Sequence, residues 1–461
     1  VFIGQGARFN WVGQESTAPR NVISGNFGPG ICIAGSGTEN NVVSGNYIGS
    51  SRFGGSPLGN SAGVVIRDSA RFNLIGTSTT GNLISGNRGD LFPLGGGVVI
   101  FGEQTDYNTV QRNLIGCDNT GTRAMRNRSA GVIIGGGASH NLIGGDSAVG
   151  NQISGNGTLP VLSGLGAGVH LFGHGTDSNT IAGNLVGVAA DKSTSLPNNG
   201  HGIGVFGGAG FSIVGGGSPD RRNIIAKNRH TGVWVDGPVT VGHQIRMNSI
   251  YDNDSGGIAT RNGANQSPIP PTILGLSVDS VWGICGIADA IVDVYRSRVN
   301  SLGKVQGVAF LGESISDLAG AFSCPVAGLV SGDSVTAVLT VPGAGSSEFS
   351  ALSVLPVPTD VSEFSDTATH QVTLYQNTPN PFNNNTLISY RIDAPGVVSI
   401  AIFNLNGQRV KTLSQGFVSA GRHTTAWDGT NSEGSAVASG VYFYRMDSPS
   451  TTAVRKMILL K

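Results

Sequence analysis

The sequence is poor in charge, in sulfur and in long apolar runs. Only 12% of its 461 residues are Asp, Glu, Lys or Arg, about half the usual share. The 28 basic side chains cancel the 28 acidic ones. By segment the balance is +3 over residues 1–268, −7 over 269–373 and +4 over 374–461, which excludes the strongly basic face of a nucleic-acid-binding protein. The clusters Arg123/Arg126/Arg128 and Arg221/Arg222/Lys227/Arg229 read as solvated loop charges. Four cysteines, at 32, 117, 285 and 324, have neither Cys-x-x-Cys nor Cys/His spacing, so neither a metal cluster nor a cofactor is expected. No apolar run reaches the roughly 18 residues of a membrane span. Apolar runs of helical length are missing too; most are three to five residues, β-branched and alternating, which is the signature of short strands.

What the chain has in excess is glycine, 73 residues, and asparagine, set in a repeat. Gly131-Val132-Ile133-Ile134 is followed by Asn141-Leu142-Ile143-Gly144, then by Asn151-Gln152-Ile153-Ser154-Gly155-Asn156. The Gly-led member recurs at Gly30, Gly63, Gly97, Gly168, Gly202, Gly232 and Gly257, at intervals of 25 to 37 residues. A unit of this size cannot bury its own apolar face, so units must stack. Three short strands per unit make one coil of a β-solenoid, with like strands pairing in parallel about 4.8 Å apart. Alternate residues such as Val132 and Ile134 then fill the interior. Gly and Asn at strand starts suit left-handed corners, and Asn41, Asn73, Asn82, Asn113, Asn141, Asn151, Asn179 and Asn223 can form amide ladders. Val1-Phe2-Ile3-Gly4 already belongs to a coil, so further coils and a signal peptide are expected upstream.

These units resemble the right-handed parallel β-helix repeats of pectate-lyase-like proteins, over about nine coils and residues 1–268. At Pro268-Ile269-Pro270-Pro271 the pattern stops, and residues 269–355 read as short antiparallel strands. They resemble the Ig-like modules of secreted bacterial proteins. Cys285 and Cys324 fall on strands that would be neighbours there, leaving open a disulfide or two buried thiols. Residues 356–373 read as a linker. The ordered set Asn380-Pro381-Phe382-Asn383, Gly407-Gln408-Arg409-Val410, Trp427-Asp428-Gly429 and Gly440-Val441-Tyr442 in residues 374–461 resembles the type A C-terminal sorting domain of the type IX secretion system. Asn384 stands where that family usually has proline. The expected fold class is all-β, a parallel β-helix followed by two small antiparallel sandwiches.

The β-helix resemblance implies either calcium-dependent lyases or carboxylate-pair hydrolases, and both need acids on adjacent coils. Here Glu39, Asp106 and Asp177 share one coil position but on alternate coils. His140 is read between the two aspartates, as part of an Asp–His–Asp row, and His174 and His201, each between glycines, as corner residues. No catalytic residue is assigned. The outward column Phe2, Cys32, Val65, Val99, Ile133, His170, Gly204, Trp234, Ala259 offers a binding surface instead. Its glycine leaves a notch between His170 and Trp234, rimmed by His201 and Asp236, that suits a sugar ring. The expected function is therefore a secreted, surface-associated structural, adhesive or glycan-binding protein, partnered by a polysaccharide or cell-surface glycan and by the secretion machinery. The alternative is a polysaccharide lyase or glycoside hydrolase with active coils upstream of Val1.

Overall fold

The computed structural model describes residues 1–15, 20–89, 95–158, 166–356, 372–393, 395–405, 408–448 and 451–460. The linker read at 356–373 lies almost wholly outside them. Three parallel sheets run the length of the solenoid: nine strands from Phe2–Gly4 to Ile258–Arg261, eight from Trp11–Gly13 to Gln244–Arg246, and eight from Asn21–Ile23 to Ser249–Tyr251 among the described residues. Pairing is in register, so one interior column reads Ile33, Ile66, Ile100, Ile134, Leu171, Val205, Val235. Each of these is at most 1% exposed. A parallel stack needs this repetition, because a slip of one residue would turn the apolar set outward.

Asparagine ladders hold the corners. One runs from Asn10 through Asn41, Asn73, Asn108 and Asn141 to Asn179, each Nδ2 donating to the next Oδ1 at 2.8–3.2 Å. A second runs Asn21, Asn46, Asn82, Asn113, Asn151, Asn184, Asn223, Asn248 at 2.9–3.0 Å. A third runs Asn26, Asn60, Asn87, Asn127, Asn156, Asn198, Asn228, Asn253, with Ser-Gly-Asn units supplying Asn26, Asn87 and Asn156. In the first ladder the left-handed conformation falls on the residue before each asparagine: Asn40, Phe72, Tyr107, His140 and Ser178 have φ of 55–57°. The ladder asparagine needs its own backbone N–H aimed along the axis, and the turn is completed one residue earlier.

Beyond Asn179 the first ladder changes chemistry. His243 Nδ1 accepts from Ser212 N (3.3 Å) and its Nε2 donates to Ala209 O (2.9 Å), as the asparagine amides do to the preceding corner carbonyls. This fixes a neutral imidazole, whose burial pushes its pKa down to about 4.

Residues 269–355 form two antiparallel sheets that close the end of the solenoid, and residues 1–358 make one compact unit. The third ladder passes from Asn253 to Gln306, whose Oε1 accepts from Asn253 N (3.0 Å). Asn265 Nδ2 donates to Ser346 O (3.0 Å), and Tyr295 OH accepts from Met247 N (2.8 Å). Arg246 makes two bonds to the fully buried Asp293, at 2.6 and 3.0 Å, and a further contact to Glu313. The terminal strands of the β-helix thus meet partners instead of presenting a bare edge. Within the sandwich, Cys285 and Cys324 are both free thiols, not a disulfide. Their strands are neighbours, but Cys324 lies opposite Val281 while Cys285 bonds Gly320. That offset is four residues, about 13 Å, far beyond disulfide reach.

Residues 359–461 form a separate compact unit. A sheet of Val372–Leu374, Thr386–Ile392 and Gly421–Trp427 and one of Arg409–Val418, Gly396–Phe403, Gly440–Ser448 and Thr451–Leu459 enclose Trp427, Tyr444, Ile400 and Leu459. Tyr444 OH bridges Asn377 N and Tyr375 O at 2.9 Å each.

Three outcomes are expected in denaturant unfolding of the first unit. Asn151→Leu strands Asn113 N–H and Val110 O and should cost about 1–3 kcal/mol; unchanged stability would mean the ladder is ornamental. Asp293→Ala leaves Arg246 buried without its main partner and should cost about 3–5 kcal/mol; a loss under about 1 kcal/mol would contradict the cap. Finally, His243 is protonated in the unfolded chain below pH 6.5 but stays neutral in the fold down to about 4. Its contribution is therefore complete above 6.5 and lost as pH falls toward 4, by roughly 3 kcal/mol at most, and His243→Asn should flatten that slope.

Candidate functional site

The outward column of the first sheet aligns as its spacing predicts, but the notch is absent. A Cβ built on Gly204 would lie 2.9 Å from His170 Cδ2, so the imidazole leans across the glycine and fills it. His170 is 1% exposed and meets Phe206 edge-on at 5.5 Å. Outward facing fixes which side of the sheet a residue takes; its tilt along the axis is set by the next coil, and a bare glycine invites the neighbour in. Trp234 is half-buried, with His201 stacked on it at 4.9 Å and 1° and Phe206 at 6.4 Å. His201 is pushed down to about 3 by burial, then by His230 and His170. Its Nδ1 accepts from Thr231 N at 3.3 Å. This adds to the acid sensitivity of His243. Asp236 sits at the strand end and accepts from Asn262 Nδ2 (2.6 Å). The structure thus gathers His170, His201 and Trp234 into one ring cluster and leaves Asp236 at its margin.

The Asp–His–Asp row does not form either. The position two before each ladder asparagine runs Arg8, Glu39, Arg71, Asp106, Ser139, Asp177. Ser139 N and Oγ donate to Asp106 at 2.9 and 3.0 Å. His140 belongs to the neighbouring column, where it stacks on Tyr107 at 5.1 Å, as Tyr107 does on Phe72.

A larger concave surface lies on the outer face of the third sheet. Tyr47, Leu83, Leu114, Gln152, Leu185, Ile224 and Ser249 stand there in register, one per coil. Two cavities, of about 640 and 230 Å³, lie over this floor and meet at Arg112 and Leu114. Hairpins closed by the bridges Ser50↔Pro57, Cys117↔Ala124 and Val188↔Ser195 stand along one side. Gln152 Nε2 ties the floor to the middle hairpin through Gly121 O (2.6 Å). Across the floor, Arg112 Nη1 donates to Ala148 O (2.8 Å). Arg20 lies over the Tyr47 ring at 5.0 Å. Among the described residues the charged lining is Arg20, Arg112, Lys192, Arg222 and one carboxylate, Asp220. An apolar floor with cationic and amide walls can hold the ring faces and oxygens of an extended polar chain. The signal for this groove was available: in Asn82-Leu83-Ile84, Asn113-Leu114-Ile115 and Asn223-Ile224-Ile225 both facings are apolar, so the outer one needs cover as well.

Comparison with known proteins gives matches of limited reach. Residues 384–451 match the family described as the FlgD Ig-like domain. Among solved structures, the chain is similar to dimeric latent PorU of Porphyromonas gingivalis, at 13% identity and a TM-score of 0.18 over 45% of this chain and 22% of that one. It is also similar to PorZ, a surface component of the type-IX secretion system of the same organism, at 14% identity and a TM-score of 0.15 over 41% of this chain and 30% of that one. The chain thus spans less than a third of either structure. No curated protein sequence matches it.

Proposed function

We propose that this is a secreted, surface-associated β-helix protein that binds a glycan chain along the outer face of its third sheet and is exported through its C-terminal module. The observation that carries the binding reading is the pair of cavities joined at Arg112 and Leu114 over a floor with one residue per coil. Floor positions repeat every 4.8 Å or so, close to the rise of one sugar in an extended chain, so successive rings meet equivalent positions. Each contact is weak, and affinity comes from repetition along the chain. The export reading rests on the ordered motifs of residues 374–461, and the secretion machinery is the partner they imply.

Glycan-array binding should fall about tenfold for Arg112→Ala/Lys192→Ala, whose side chains sit on the groove walls. Binding unchanged in that variant but lost in Trp234→Ala would move the site to the ring cluster of the first sheet, with His170, His201 and Asp236. Deleting residues 374–461 should leave the protein in the periplasm of a type IX host; undiminished surface display would remove the export reading.

A further inference from the structure

A third cavity, of about 530 Å³, shares no lining residue with the groove. It lies beside the middle hairpin and is lined by Arg88, Arg123, Arg126 and Arg128, with Asp118 as its one carboxylate among the described residues. These arginines are not simply solvated loop charges. Arg126 is half-buried, and its Nη1 donates to the carbonyl oxygens of Gly155, Asn156 and Pro197 at 3.2, 3.4 and 3.4 Å. Burial, and then the neighbouring Arg229, lower its pKa, so positive charge is held there against repulsion. Asp118 is already committed. Its side chain is 3% exposed and accepts from Thr120 Oγ1 (2.7 Å), Thr122 N and Arg123 N (3.2 Å each) and Arg123 Nε (3.0 Å). Burial works to raise its pKa, but these bonds prevail and hold it below the usual carboxylate range. No carboxylate among the described residues pairs with Arg88 or Arg126.

The chain supplies its own control for whether the hairpin frame needs these arginines. All three hairpins make the same backbone bonds: Ser51 N to Ser56 O, Asp118 N to Arg123 O and Ala189 N to Thr194 O at 2.8–3.0 Å, then Leu58 N to Gly49 O, Met125 N to Gly116 O and Leu196 N to Gly187 O at 2.8–3.0 Å. Where the middle hairpin carries Arg123, Arg126 and Arg128, its siblings carry Ser56, Gly59 and Ser61, or Thr194, Pro197 and Asn199. The frame forms without a guanidinium. The backbone frame of the hairpin therefore does not require them.

We propose that this cavity binds a tetrahedral oxyanion, the sulfate or phosphate monoester of a larger ligand, through Arg88, Arg123 and Arg126. A guanidinium fork pairs two oxygens at a time, so a planar carboxylate is satisfied by one arginine, whereas a tetrahedral oxyanion keeps oxygens for the others that line the same cavity. The volume falls within the range of about 300–1,000 Å³ typical of small-ligand sites, which leaves room for the ring bearing the ester. The site is independent of the groove and would stand if the groove bound nothing.

The test is titration calorimetry of the full chain with inorganic sulfate and inorganic phosphate at low ionic strength, where surface charge is least screened. Saturable binding to the wild type, weakened at least tenfold in Arg88→Gln and in Arg123→Gln, is expected; both side chains are exposed, so the fold should persist. Arg126→Gln should act likewise, with its melting curve recorded because that side chain also holds three carbonyls. Glucose 6-sulfate and glucose 6-phosphate then separate the sources: preference for either supports the site and names its ester. No binding of either inorganic anion by the wild type, or equal affinity in Arg88→Gln and Arg123→Gln, overturns the proposal.

Discussion

The amide ladder is the constraint on which the rest of this structure depends. A parallel solenoid must turn a sharp corner three times per coil and leave no backbone group stranded there. Asparagine meets this because its side chain reproduces a peptide group. Asn113 Oδ1 accepts from Asn82 N and Nδ2, while its Nδ2 donates to Ile75 O, Gln111 O and Asn151 Oδ1. All but the bond to Gln111 O reach the coil above or below at the strand spacing, so the ladder depends on the same residue returning at the same corner. The interior column follows from that register, and the loops between corners are released from it.

Such a stack has an end, and the end is costly. The last coil offers strand edges and ladder amides with nothing above them. The sandwich answers with groups that continue the ladder, the Gln306 amide after Asn253 and the Ser346 backbone carbonyl after Asn265, and with acids that meet the final basic groups. Asp293 and Glu313 take Arg246, and Glu348 takes Arg261. The charge difference between a weakly basic first segment and an acidic second one, visible in composition alone, is in part this contact. Burying Arg246 against Asp293 disfavours other dockings, because an unpaired partner of either sign would be costly there.

Much of this was legible because solenoid geometry is periodic. The three-strand unit, the facing of Ile100 and Val169, the alignment of Phe2 through Ala259 and two of the ladders all follow from spacing. Side-chain direction along the axis does not. Whether His170 stands out from the sheet or leans over Gly204 depends on the next coil, and that coil is some thirty residues away in sequence. The same ignorance misplaced His140, one residue from its expected column and stacked on Tyr107. It also hid the offset between Cys285 and Cys324, where strand adjacency was right and register was not. The groove depends on a different signal, the apolar outer residues of the Asn-led third strand, such as Leu83, Leu114 and Ile224.

A scaffold of this kind separates two tasks that compact enzymes combine. The corners and the interior tolerate almost nothing, while the hairpins inserted on three alternate coils keep a common frame with different side chains. Surface chemistry can then vary at one hairpin while the backbone frame of all three stays the same. The middle hairpin shows the result, with three arginines on a frame whose neighbours are neutral at the matching positions. The energetic consequence is that the charge of Arg126 is opposed locally, by desolvation and by Arg229. A protein whose formal charges cancel can in this way still gather cations locally on its surface.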